Sequence, residues 1–249
     1  TFETRQWKRT QMQVSKADRI RDLRAQIMRL EGFRLPGEGW PGTSTSSFPW
    51  RSFPLGAVHE FVCAGREDVS PTAGFIAGLL SQLTKKKGVT LWISASRKLF
   101  PPALAAFGLN PDCFIFLDAA SERDVAWAME EALKCPALAA VVGEIRDIDF
   151  TGSRRLQLAV EQSRVTGFVI RKSPRTITTT ACVSRWRITS LPSATDDELP
   201  GVGFPVWKIE LLKMRNGQPG SWVVRWMNEE FVEERSEMAA DTNSERKAV

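Results

Sequence analysis

The stretch LGAVHEFVCAGREDVSPTAGFIAGLLSQL, residues 55–83, changes its pattern twice. Leu55 to Val62 is an apolar run short enough for one buried strand. Ala64 to Thr72 is polar and carries Gly65 and Pro71, and Ala73 to Leu83 has the composition and length of a helix. A strand, a loop and a helix in that order open a parallel α/β sheet. The loop then lies where backbone N–H groups at a helix N-terminus favour an anion.

Working outward, the cycle repeats. Val89–Ile93, Phe114–Leu117, Leu138–Val142 and Phe168–Ile170 read as buried strands. Between them, Pro101–Phe107 reads as a short helix, Glu122–Leu133 as a helix with Val125, Ala126, Met129 and Leu133 on one side, and Ser153–Ser163 as a third. Alternation of this kind predicts an α/β fold with a mostly parallel sheet covered by helices on both faces. After residue 170 the helices stop. Cys182–Ile188, Val206–Met214 and Trp222–Trp226 are strand-like, and Asn216-Gly217 marks an antiparallel hairpin between the last two. Trp186, Trp207, Trp222 and Trp226 fall in these segments, where large rings pack against a sheet.

Four regions follow: a basic N-terminal helix within 1–32, a linker at 33–54, a core at 55–227 and an acidic tail at 228–249. Residues 15–31 place Ile20, Leu23, Ile27 and Leu30 at helical spacing after Ser15, with Arg19, Arg21, Arg24 and Arg29 largely off that stripe. Those arginines fit either a solvated face or a patch for phosphates or an acidic protein. The linker is rich in Pro, Gly and Ser/Thr, and Trp40, Phe48, Trp50 and Phe53 suggest that it lies against the core. Beyond Asn228 a helical extension to about Met238 is expected, then disorder.

The 249-residue chain carries a net charge of +5, spread unevenly. Residues 1–34 hold nine Lys/Arg against four Asp/Glu, whereas residues 229–249 hold three against seven. One end can approach nucleic acid or an acidic partner while the other repels phosphate. Cys63, Cys113, Cys135 and Cys182 lie far apart and His59 is the lone histidine, so neither zinc spacing nor a redox pair is present. Small buried thiols in a reducing cytoplasm are expected. No apolar run reaches membrane-spanning length and no signal-peptide pattern opens the chain, which predicts a cytoplasmic protein with no membrane partner.

The loop fails the test for phosphoryl transfer. A Walker A loop needs G-x-x-x-x-G-K-S/T: glycines wrap the phosphates, the lysine neutralises them and the hydroxyl holds Mg²⁺. Here eight residues separate Gly65 from Gly74, and Phe75 and Ile76 replace lysine and hydroxyl. Its acidic partner belongs at the end of a buried strand, and the 138–142 strand is followed by Gly143 and Glu144. Glu144 fits a cation ligand or a structural carboxylate, while Asp147 and Asp149 fit a loop or the cap of the next helix. No catalytic residues, metal or cofactor are therefore expected, and ATP hydrolysis is not.

PLGAVHEF at 54–61, GF at 74–75, LWIS at 91–94 and WAMEEALKCPALAAVVGEI at 127–145 carry a resemblance. SRRLQLAVEQS at 153–163, RWRI at 185–188 and WKIELLKMRNGQPGSW at 207–222 extend it. Together they resemble the ImuA family over about residues 20–227. The resemblance implies a RecA-like core and a role in the SOS response, as an accessory protein of DNA-damage-induced translesion synthesis. The implied partners are ImuB, a Y-family-polymerase-like protein, and an error-prone DnaE-type polymerase, with RecA as a further one. It also places Gly65–Gly74 at the phosphate loop, Ser96 near the catalytic-glutamate position and Gly143-Glu144 at the Walker B end, each a departure from an active ATPase.

The resemblance fixes no binding surface, so candidates rest on charge and polarity. Arg171, Lys172, Arg175, Arg185 and Arg187 form a stretch free of acids after the fifth strand, suited to non-specific DNA contact or to ordinary solvation. Arg21 and Arg24 offer a second basic patch. Phe231, Val232 and Met238 in the tail offer a small apolar face for a partner. Beside the adaptor role stand two alternatives: a modulator of RecA filaments, and a nucleotide-dependent switch with a divergent loop.

Overall fold

The computed structural model describes residues 53–84, 88–96, 98–194 and 203–234, with isolated helical positions between 19 and 30. Arg21, Arg24, Trp40, Phe48, Trp50, Met238 and the acidic tail beyond Glu234 lie outside the described residues.

The elements alternate first and then become all-strand. They are β1 (Val58–Cys63), α1 (Val69–Thr84), β2 (Val89–Ser94), β3 (Phe114–Asp118), α2 (Glu122–Leu133), β4 (Leu138–Ile145), α3 (Phe150–Ser163) and β5 (Thr166–Lys172). After them come β6 (Ser184–Ala194), β7 (Phe204–Met214), β8 (Gly220–Met227) and β9 (Glu230–Glu233), and a 3-10 helix at Pro101–Phe107 joins β2 to β3. One nine-stranded sheet results, in the order β3-β2-β4-β5-β1-β6-β7-β8-β9. β3 through β6 pair in parallel, and β7, β8 and β9 add antiparallel.

Period-two alternation sorts the side chains of β1: Phe61 and Cys63 enter the cluster under α1, while Val58 faces α2 and α3. The first cluster joins Phe75, Ile76 and Leu79 of α1 to Trp92, Trp186, Trp207 and Trp226 from four strands. The second joins Val125, Met129 and Leu133 of α2 to Leu156 and Val160 of α3. The parallel sheet thus has helices on both faces, and the four C-terminal-third tryptophans serve the α1 side, Trp222 at its margin. Among the described residues, no helix is long and apolar enough to cross a membrane.

Several boundaries differ from the sequence expectation, α3 for instance starting at Phe150 rather than Ser153, and three differences bear most on the site and the core. α1 begins at Val69 rather than Ala73, because Pro71 falls in its first turn, where a missing N–H costs no helical bond. β4 runs on to Ile145, so Gly143 and Glu144 are strand residues rather than the loop after it. The helix expected after Asn228 is instead β9 as far as Glu233. Asn228 and Glu229 both take positive φ, at 52° and 60°, which is the geometry of a two-residue hairpin turn of type I′. The turn folds Phe231 back to face Trp226.

Phe53, the one described aromatic of the linker, is buried and stacks on His59 with ring centroids 4.2 Å apart. The cysteines depart in part from the expectation of four buried thiols: Cys63 and Cys182 are buried, Cys113 is half-buried and Cys135 is exposed. Burial pushes the Cys63 thiol up to about 11 and the Cys182 thiol up to about 12, which keeps both unreactive.

Candidate functional site

With α1 starting at Val69, only Ala64 to Asp68 lie between β1 and the helix. Gly74, Phe75 and Ile76 are therefore not loop residues: they sit inside α1, and Phe75 and Ile76 are buried in the core. Of the degenerate glycine pair, only Gly65 is at the loop. Asp68 caps the helix, its carbonyl accepting from Thr72 N–H at 3.1 Å. Its carboxylate turns the other way and accepts from Ala64 N–H at 2.9 Å and Gly65 N–H at 3.3 Å. A buried side chain of this chain thus holds the first two amides after β1.

Across the sheet, β2 and β4 place Ser94 beside Glu144. Glu144 is buried and takes four hydrogen bonds. Trp92 Nε1 donates to Oε1 at 2.8 Å, while Ser94 Oγ, Ser96 Oγ and Lys172 Nζ donate to Oε2 at 2.9, 3.3 and 3.2 Å. Oε2 is thus fully engaged from within the chain, whereas Oε1 receives a single bond, from Trp92. The ammonium of Lys172 offsets the charge of Glu144 at Oε2. At the start of α1 stand Val69 and Ser70, while Phe75 and Ile76 lie too deep in the helix to take the lysine and hydroxyl positions that the sequence spacing gave them.

The five bases expected after the fifth strand instead lie on β5 (Arg171, Lys172), on β6 (Arg185, Arg187) and between them (Arg175), and they divide between two surroundings. Arg171 is 1% exposed: its Nη1 donates to Glu60 Oε1 at 2.8 Å, and its Nη2 donates to Asp147 Oδ1 at 3.3 Å and to the Thr176 carbonyl at 2.9 Å. Arg185 donates from Nε to Glu60 Oε2 at 2.7 Å and from Nη2 to the Thr178 carbonyl. Glu60 itself is fully buried, and Thr180 Oγ1 adds a further bond at 2.8 Å. These two arginines thus clamp the 173–183 segment to the sheet, and Arg171 has no surface to offer a phosphate. Arg187 is half-buried on β6, with its Nε unpaired. Lys172 and Arg175 lie elsewhere, in a cleft.

That cleft has a volume of about 890 Å³ and opens at the carboxyl ends of β1, β2, β4 and β5, where α/β sheets hold ligands. Arg66, Lys98, Arg146, Lys172 and Arg175 reach it, as do Glu122 and Glu144. Leu99, Phe100, Leu104, Phe107 and Trp207 form its apolar wall. Arg66, Lys98, Arg146, Asp68, Trp92 and Ser94 escape a reading of the sequence, because each comes from a different turn or strand end. Only Asp68, one residue ahead of a helix, carries a local signal, that of an N-cap.

The tail candidates part company. Phe231 is buried against Trp226, Phe75 and Trp207, with centroids at 4.7, 5.1 and 6.1 Å, so it belongs to the core and not to a docking face. Val232 is exposed on β9. At the other end, Ile20, Leu23, Ile27 and Leu30 are helical and exposed.

No family model matches the chain. Over 190 residues it is 35% identical to Protein ImuA of Caulobacter vibrioides, an alignment covering 72% of this chain and 78% of that one. Among solved structures, a RadB recombinase superposes with a TM-score of 0.53 at 15% identity, over 78% of this chain and 97% of its own. A KaiC-like protein from Pyrococcus horikoshii superposes with a TM-score of 0.53 at 10% identity, over 82% and 100%. At such identities the two structures speak for the fold alone, which is RecA-like.

Proposed function

Because the chain belongs to the ImuA family, we propose that it is a non-catalytic, RecA-like accessory protein of bacterial SOS mutagenesis, working in the cytoplasm as an adaptor between ImuB and an error-prone DnaE-type polymerase. The observation that carries the non-catalytic half is the internal occupation of both halves of the phosphate site. Asp68 holds the Ala64 and Gly65 amides, and Lys172 with three other donors engages Glu144. Phosphoryl transfer relies on positioned cations and dipoles, each worth roughly 3–4 kcal/mol of transition-state stabilisation. A loop without a lysine and a carboxylate already paired with Lys172 remove two such sources, which supports the non-catalytic reading.

The adaptor half is supported by apolar surface that the core does not use. Leu23 and Leu30, on the helical N-terminal stripe, are 57% and 88% exposed, and such a stripe suits insertion into a partner's groove. The proposed partners are ImuB first, then the DnaE-type polymerase and RecA. Size-exclusion chromatography of the chain with ImuB, without nucleotide, tests this. Co-elution that is lost in Leu23→Glu is expected; no complex with the wild-type chain refutes the ImuB adaptor.

A further inference from the structure

We propose that the open edge of β3 is a docking site for an extended, basic segment of another protein, which adds to the sheet as one more strand. This surface lies apart from the N-terminal stripe of the adaptor reading, and it stands or falls by itself.

The two edges of the sheet are built differently. β9 forms one of them: it has four residues, Glu230 and Glu233 bound it, and Glu234 follows. A short, acidic edge resists pairing with other chains. β3 forms the other, pairs with β2 alone and keeps its register from Phe114 to Asp118 without a bulge. Between Asp112 and Asp118 the chain carries no charge. The helices α1, α2 and α3 pack over β1, β2, β4, β5 and β6, which leaves β3 at the margin.

Both faces of β3 are open as a result. Ile115 and Leu117 sit beside Leu91 and Ile93 on the α2 side and are 53% and 39% exposed. Phe116 sits beside Trp92 on the α1 side and is 38% exposed. A strand turns its N–H and C=O groups to either side, so those facing away from β2 meet no strand among the described residues. Three apolar side chains in succession along such an edge are a template for strand addition.

Charge decides what pairs there. From Leu99 to Ser121 the chain has two acids, Asp112 and Asp118, and no base. Both acids are exposed, one ahead of β3 and one at its end. A second copy fits badly. Antiparallel pairing centred on Phe116 sets Asp118 of one copy opposite Phe114 of the other and diagonal to the other's Asp112, at about 7–8 Å, where like charges repel. A segment with Lys or Arg on either side of a few apolar residues fits instead. Those apolar residues are consecutive, because a strand beside β3 meets uncovered surface on both faces of the sheet.

The probe is a synthetic peptide of sequence KTVFVTK carrying fluorescein. Its polarisation is measured with the full chain, and amide exchange of the chain is followed by mass spectrometry. Saturable binding is expected, with exchange slowed at Phe114–Asp118, and Leu23→Glu is expected to bind the peptide as wild type does. Ile115→Lys with Leu117→Lys changes two exposed side chains, so the double variant is expected to fold and to bind the peptide about tenfold more weakly or worse. The acidic twin ETVFVTE is expected to lose as much. No binding at millimolar peptide overturns the proposal, as does unchanged affinity in the double variant or protection that arises elsewhere and not on β3. Equal affinity for the two peptides overturns the basic character of the segment.

Discussion

At the scale of single residues, two buried polar groups set the stability of the chain. His59 Nε2–H donates to the Pro54 carbonyl at 2.7 Å, and its Nδ1 accepts from Ser184 Oγ at 2.6 Å, so the ring is neutral. Burial lowers its pKa from 6.5 to about 4. The unfolded chain then takes up a proton between pH 6.5 and 4 that the folded chain refuses. This part of the stability is complete above pH 6.5 and is lost as pH falls, about 3 kcal/mol by pH 4. Urea midpoints at pH 7 and pH 5 check it: the wild-type drop is expected to exceed that of His59→Gln, and parallel drops would remove His59 from the account. Glu60 is the second group. Glu60→Gln strips the counter-charge from buried Arg171 and from Arg185, at a cost of about 3–5 kcal/mol, whereas exposed Arg175→Ala is expected to cost under about 0.5. Equal urea midpoints for the two variants would contradict the clamp. A reading of the sequence sees five bases and no acid near them, since Glu60 lies 111 residues before Arg171 and 125 before Arg185.

Among the elements, those made by local pattern are the legible ones. α2, from Glu122 to Leu133, is capped by Ser121, whose Oγ accepts from Asp124 N–H at 3.2 Å. The same holds for α3, capped by Asp149. What escapes is set by pairing at a distance. β9 has Asn228-Glu229 at its turn in place of the usual Asn-Gly, and its acidic sequence speaks for solvent, yet Phe231 finds a place beside Gly78 of α1. A Cβ at Gly78 would come within 2.4 Å of the Phe231 ring, so the glycine makes that approach possible. Phe231→Ala is expected to lower stability by about 3 kcal/mol through the cavity it leaves. A change below about 0.5 kcal/mol in urea unfolding would mean that β9 does not pack as described.

The whole molecule keeps the RecA-like sheet and turns the residues of its phosphate site inward. Sequence shows no lysine from Gly65 to Gly74, which supports the proposed loss of hydrolysis, although the structure places Phe75 and Ile76 inside α1 and not at the loop. Sequence does not expose the replacements, because Asp68, Trp92, Ser94 and Lys172 meet their partners only through the order β2-β4-β5-β1. The same order gathers the cations of the cleft. On the proposed reading this fold no longer hydrolyses ATP. Release of phosphate from ATP by the purified chain, with Mg²⁺, single-stranded DNA and ImuB present, tests it most directly. A rate no higher than that of buffer and no change in Glu144→Gln are expected, whereas turnover that disappears in Glu144→Gln would show a working catalytic site and contradict the non-catalytic reading.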